Sequence, residues 1–434
     1  MVKLFPEKAA SSEAAFFMAG TALLHRPVPA IFSKPMPPKA ATDIRAFDYL
    51  IVGGGAAGLS LAYHIAQEPR LANKQVLLIE SEAKNQNDRT WSYWADEPTA
   101  FDSIAAHEWQ RIAFRSPGFE KLIDLGNYRY CMIRGLDYYQ FVQRALAGNP
   151  RFSVVRGTVA SLENTPVGVR VCSSAGEFTA HYGFDSRPPK LVPLQQPPKH
   201  RYLLQHFVGW EIETETDVFD PNTVEFMDFR GEQHHEARFI YVLPFSARKA
   251  LVEYTLFSET LLPKAEYEVA LRDYLTTTLG LATYRITAEE MGAIPMTDHP
   301  LPARTGPHII NLGTRGGRAK PSTGYAFKRI QQHSARLVAA LAATGHPPVN
   351  ATGDKWQFHL FDTLLLDIMQ RRGETTRDVF RELFERNPVE RIFRFLDETT
   401  SWADNLRVMS SVTPGPFMHS IAQVLRGRPG QRSD

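Results

Sequence analysis

Residues 47–80 run Phe-Asp-Tyr-Leu-Ile-Val, then Gly53-Gly54-Gly55-Ala56-Ala57-Gly58, then Leu-Ser-Leu-Ala-Tyr-His-Ile-Ala, and close on Val-Leu-Leu-Ile-Glu80. An apolar strand, a glycine turn, an apolar helix and a second apolar strand in that order make a βαβ dinucleotide-binding unit. Gly53 permits the tight turn off the strand, Gly55 lets backbone approach a pyrophosphate, and Gly58 lets helix and strand pack closely, with Gly54, Ala56 and Ala57 completing the loop. Free N–H groups and the macrodipole at the helix start favour an anion. Glu80 lies 22 residues beyond Gly58, at the end of the second strand, where an acid accepts ribose hydroxyls and disfavours a 2′-phosphate. FAD or NAD is therefore expected rather than NADP.

The chain has 434 residues, enough for two packed domains. Hydrophobic residues make up 43%, charged residues 22%, and the formal net charge is +2, which argues against a nucleic-acid partner. Cys131 and Cys172 are the two cysteines, with no CxxC pair, so neither a disulfide scaffold nor a metal site is expected and a reducing, cytoplasmic compartment fits. No apolar run approaches the roughly 18 residues needed to span a bilayer, so membrane contact would be peripheral. Residues 14–24 resemble a short signal-peptide core, but Glu7 and Glu13 precede them and proline-rich sequence follows. Residues 1–46 are read as a disordered leader or a start assigned too early.

Residues 47–200 read as the first part of the nucleotide domain, 201–300 as a β-rich substrate domain, 301–345 as the second part of the nucleotide domain, and 346–434 as a helical C-terminal region. Residues 87–94 read as a polar, aromatic loop, 128–133 as a strand, 135–147 as a helix, and 152–155 with 167–172 as strands of a small meander. Strand-like segments follow at 207–211, 224–229, 239–243 and 251–257. Ile309-Ile310-Asn311-Leu312-Gly313 reads as a returning parallel strand, and Pro321-Ser322-Thr323-Gly324-Tyr325 opens a helix reaching about residue 343.

Residues 238–255 form a hairpin pattern whose second strand carries Glu253 on the same face as Leu251, Thr255 and Phe257. On an apolar face a carboxyl is desolvated and kept protonated near neutral pH; on a solvated face it is an ordinary surface acid, and the pattern allows both. His234 and His235 are adjacent and read as loop residues. Trp91, Tyr93 and Trp94 suit either a pocket for a long apolar ligand or plain core, and the C-terminal apolar helices suit either core packing or a channel and membrane face.

From about residue 47 to 425 the chain resembles the bacterial flavoprotein-type lycopene cyclases, relatives of aromatic hydroxylases and geranylgeranyl reductases. The resemblance is carried by residues 53–80, Arg89-Thr90-Trp91-Ser92-Tyr93-Trp94, Phe184-Asp185-Ser186-Arg187, residues 205–210, 226–229 and 241–244, Leu251-Val252-Glu253-Tyr254-Thr255, Gly292-Ala293-Ile294-Pro295-Met296 and Pro321-Ser322-Thr323-Gly324-Tyr325, in that order. Flavin hydroxylases place an aspartate after the glycine of the returning strand; Gly313-Thr314 here lacks it, which favours a cyclase over an oxygenase. Tyr254 stands where cyclases often carry a second acid. The resemblance implies an α/β fold, with a Rossmann-like FAD-binding domain of the flavin hydroxylase and reductase kind, a β-sheet substrate domain and a helical C-terminal part. It implies reduced FAD, with NAD(P)H as a possible reductant, and lycopene or a related C40 polyene as substrate, reached from the membrane. Glu253 matches the family's acidic strand residue, with Glu290 the next candidate acid. Gly313, Thr323 and Gly324 join Gly53 to Gly58 and Glu80 at the cofactor, and Trp91, Tyr93 and Trp94 at the substrate. A flavin monooxygenase or prenyl reductase, and a carotenoid-binding flavoprotein without activity, are the other readings.

Overall fold

The computed structural model describes residues 45–189, 200–348 and 356–425. The expected leader lies outside them, apart from Arg45 and Ala46, which already belong to the first strand, Arg45–Val52.

The nucleotide sheet is built around that strand. Val76–Glu80 and then Phe152–Arg156 pair on one side of it, all parallel, and Gly176–Asp185 pairs parallel on the other and also carries Ile309–Asn311. Val76–Glu80 is buried along its whole length, as a strand covered on both faces must be. The helix Ala56–Gln67 starts at Gly55 and ends at Glu68, whose extended backbone precedes Pro69. It packs on the helix Phe327–Thr344, where Ser60 Oγ donates to Gln331 Oε1 at 2.6 Å.

Two sequence expectations are corrected here. Residues 152–155 belong to a parallel strand of the nucleotide sheet; the antiparallel meander is made by Val159–Thr165, Gly168–Ser173 and Gly176–Asp185. Residues 90–95 are a strand rather than loop, pairing with Arg129–Arg134 in a three-stranded sheet completed by His107–Trp109. The edge and polar positions of these strands gave no clean alternation.

The second sheet runs in the order Arg285–Thr297, Tyr202–Glu213, Lys249–Ser258, Ala237–Ser246, Thr223–Asp228, Arg111–Ser116 and Phe119–Asp124. Its last two strands come from the stretch assigned to the first part of the nucleotide domain, and Arg111–Ser116 joins Thr223–Asp228 in parallel. One face is covered by the helix Lys264–Asp273, with Tyr254, Trp210 and Leu256 packed against Tyr267 and Leu271. The other faces the three-stranded sheet and the C-terminal helices Trp356–Arg372, Thr375–Arg386 and Val389–Leu396, through Phe226, Phe239, Leu251 and Phe257. Buried ion networks fasten that helical layer. Arg201 lies between Asp298 and Asp367 at 3.2 Å each, and Lys320 Nζ sits 3.0 Å from Asp362 and 3.0 Å from Glu398. No helix among the described residues is long and apolar enough to cross a membrane.

Candidate active site

Glu253 sits mid-strand on the face that looks toward the three-stranded sheet, 9% exposed. Strand register sets its neighbours. Tyr241 is its partner on one side and Gly209 on the other, and Gly209 in turn pairs with Glu290. Tyr241, Glu253, Gly209 and Glu290 therefore form one row across four strands, side chains on one face. A Cβ at residue 209 would stand 3.1 Å from Leu251 Cδ1, 3.4 Å from Glu290 Cγ and 3.5 Å from Glu253 Cβ, so the glycine lets the two glutamates and Leu251 close in over the strand between them.

Thr255 Oγ1 donates to Glu253 Oε1 at 2.6 Å and Thr90 Oγ1 to Glu290 Oε2 at 2.7 Å. Burial, then the neighbouring Glu290, push the Glu253 carboxyl up to about 8, with the Thr255 bond a smaller opposing effect. Burial also raises Glu290. Glu253 is thus the desolvated acid rather than a surface one.

Beyond Tyr241 the row meets a tyrosine cluster. Tyr241 donates to the Tyr130 hydroxyl at 2.7 Å, and Tyr325 and Ser92 lie close enough to act on that same hydroxyl. Burial raises Tyr130, Tyr241 and Tyr325 well above the ordinary phenol range, so all three stay neutral. Gly324, at φ +70°, packs so tightly that a Cβ there would lie 1.9 Å from Gln205 Oε1 on the central strand, which brings Tyr325 to the Glu253 side. A neutral carboxylic acid ringed by aromatic faces can give a proton to an apolar substrate and tolerate the cation that forms. Two narrow clefts flank it, each with room for a water or two: one at Ser92, Trp94, Tyr325 and Leu396, the other at Asn87, Thr90, Arg134, Glu211 and Glu290.

The aromatic run divides between the two sides of its strand. Trp91 and Tyr93 stack on Phe327, within the nucleotide-domain core, whereas Trp94 stacks on Phe393 at 4.6 Å and meets Tyr325 edge-on. Alternation thus sends Trp91 and Tyr93 away from Glu253 and, of the three, points Trp94, with Ser92, toward the cluster. Tyr254 turns to the opposite face, against Tyr267 and Arg238, so the place of the family's second acid looks away from Glu253. Tyr130, Tyr241 and Gly209 are not assigned to the site by the sequence, although residues 205–210 and 241–244 are among the matching segments; a glycine inside an otherwise bulky strand is the physical signal for Gly209.

At the nucleotide end, Gly53 has φ +96° and a Cβ on Gly58 would lie 1.9 Å from Gly53 O, so helix and strand are in backbone contact. A Cβ on Gly55 would meet nothing within 4 Å, and no side chain caps the helix start. Glu80 Oε2 accepts from Gly54 N and Oε1 from Glu82 N at 2.7 Å, which ties the carboxylate to the glycine loop. Gly313, at φ +56°, touches Ala57 through the space a side chain would fill, and Thr323 Oγ1 is buried with no protein partner. An open anion cradle and an orphaned buried hydroxyl fit a flavin dinucleotide.

The fold is shared with a geranylgeranyl bacteriochlorophyll reductase-like protein from Thermoplasma acidophilum, at TM-score 0.57 and 14% identity over 88% of this chain and 100% of that one. The lycopene beta-cyclase of Pantoea ananas is 22% identical over 87% of this chain and 98% of its own length, and that of Pseudescherichia vulneris 24% identical over 89% and 99%. The lycopene cyclase protein family model matches residues 48–424. With that match spanning nearly all the described residues, the chain belongs to the lycopene cyclase family.

Proposed function

We propose that the protein is an FAD-dependent lycopene cyclase, closing β-ionone rings on the ends of a linear C40 polyene, with Glu253 as the proton donor. The supporting observation is a buried carboxyl kept neutral by desolvation, between Tyr241 and Gly209 in the strand row. The Glu253 O–H gives its proton to the terminal double bond, the neighbouring alkene attacks the resulting tertiary cation, and a ring proton returns to the Glu253 carboxylate. No electrons are gained or lost overall. Tyr130, Tyr241 and Tyr325 present ring faces and exclude water, Thr255 orients the carboxyl, and Gly53 to Gly58, Glu80, Gly313, Thr323 and Gly324 hold the dinucleotide. Bound and reduced, with NAD(P)H as the natural source of its electrons, FAD would supply fixed negative charge beside the cation.

Under anaerobic conditions, lycopene incubated with the protein and chemically reduced FAD should give cyclic product with no loss of reduced flavin. Flavin oxidation in step with product would make it a reductase or oxygenase instead, and unchanged lycopene would leave only a carotenoid binder.

A hydrocarbon substrate dissolves in bilayers, and one face suits contact with them. Trp356 and Leu360, then Trp402 and Leu406, project from two helices as exposed pairs four residues apart, and the two indoles lie 5.9 Å apart. Among the described residues, Asp404 is the one acid ion-paired with Arg391, Arg394 and Arg407, leaving positive charge beside them. Replacing both tryptophans by alanine should cut co-sedimentation with anionic vesicles about tenfold, while cyclisation of detergent-dispersed lycopene persists. Undiminished vesicle binding would remove this face from consideration.

A further inference from the structure

The cleft at Asn87, Thr90, Arg134 and Glu211 reaches Glu290 and stops there; Glu253 is not in its wall. Glu290 is half-buried, with Thr90 donating to it from the cleft side and only Gly209, which has no side chain, standing between it and Glu253 in the strand row on the other. Beyond it, Glu211 pairs with Arg134 at 3.2 Å and with Lys249 at 2.7 Å, a polar chain leading to half-exposed residues. Glu253 by contrast accepts from Thr255 and lies near Glu290, Tyr241 and Tyr325.

We propose that Glu290 is a positioning residue that passes protons between the cleft water at Thr90 and Arg134 and the buried Glu253 carboxyl, over Gly209, whose missing side chain lets the two glutamates approach. This rests on the reading of Glu253 as the acid. The exchange is degenerate: one proton moves from Glu253 to Glu290 and on to cleft water while another returns by the same path, so only O–H bonds form and break and the charge is unchanged. Its effect is to return Glu253 to equilibrium with bulk solvent between turnovers. The groups that face Glu290 fit a carrier whose charge can change: Glu211 opposes a negative charge on it and Arg134 favours one, and burial with the Glu211 effect outweighs Arg134 and Thr90.

Multi-turnover cyclisation in D2O tests this directly. In the wild type each ring should carry a deuteron delivered from solvent. In Glu290→Gln the substrate-derived ring proton is recycled on Glu253, so deuterium per ring should fall at least fivefold with KM unchanged, and Glu290→Asp should restore it. Wild-type deuterium content in Glu290→Gln would overturn the proposal. A second measurement needs no activity: the infrared carbonyl band of the protonated Glu253 carboxyl, identified by its loss in Glu253→Gln, should shift slowly after transfer of flavin-loaded Glu290→Gln into D2O and quickly in the wild type. Equal exchange rates would sink the relay alone. If no protonated band disappears in Glu253→Gln, it is the acid assignment that fails.

Discussion

Glu253→Gln should lose ring formation by at least a thousandfold, bind FAD normally, and yet be more stable than the wild type above pH 8. The first part follows from removing the only O–H at this position able to start the reaction; general acid catalysis alone accounts for roughly 10²–10⁴ in rate, and an alkene is a poor base that leaves little background. The second follows from linkage. The folded carboxyl titrates near 8, well above its unfolded value. Between the two values the unfolded chain has released its proton and the folded protein has not, so stability falls as pH rises through that window and stays low above it. A neutral amide of the same shape removes that penalty and can still accept the Thr255 hydroxyl. Thermal unfolding of the two proteins should coincide near pH 4.5 and diverge upward through pH 8, with a gain of about 1–3 kcal/mol for the variant. Wild-type turnover should decline over the same upper limb, because the acid form is the working one. A variant less stable than the wild type at pH 8.5 would contradict a neutral buried acid.

Gly58→Ala and Gly55→Ala should fail in opposite ways. At Gly58 the new methyl would lie 1.9 Å from Gly53 O and 3.1 Å from Gly53 C, backbone atoms that cannot step aside, so the helix must lift from the strand. Overpacking of this sort costs about 3 kcal/mol and should lower the unfolding temperature of the flavin-free protein. At Gly55 the methyl enters open space, so the flavin-free protein should be as stable as the wild type, while the approach of a pyrophosphate is blocked and flavin occupancy falls more than tenfold. Flavin absorbance of the purified variants, together with their melting curves, separates the two. Full flavin content in Gly55→Ala would remove the pyrophosphate from this loop.

The nucleotide unit was legible because everything that defines it lies within residues 47–80, in order. The hairpin carrying Glu253 was legible for the same reason, since Ala237–Ser246 and Lys249–Ser258 are neighbours joined by a tight turn. What the sequence hid was register between distant strands. That Gly209 stands between Glu253 and Glu290 depends on pairings across 44 and 81 residues. Arg285–Thr297 was itself obscured by Glu289, Glu290, Gly292 and Pro295, residues that disfavour strands; it tolerates the proline because it lies at the sheet edge. The split of Trp91 and Tyr93 from Trp94 is plain alternation, invisible only while residues 87–94 were taken for a loop.

The interleaving of the two sheets has a consequence for how the chain is made. Arg111–Ser116 must wait for Thr223–Asp228 before it has a parallel partner, and Gly176–Asp185 waits for Ile309–Asn311. The helical layer on the same face of the second sheet comes later still, with Arg201 clasped by Asp367. During synthesis neither sheet can finish alone, and the apolar face carrying Phe226, Phe239, Leu251 and Phe257 stays without its helical cover until residues 356–396 emerge. Such long-range closure makes assembly slow and the nascent chain dependent on shelter from aggregation, so the apolar layer between sheet and helices is also the part most exposed to mishap before they join.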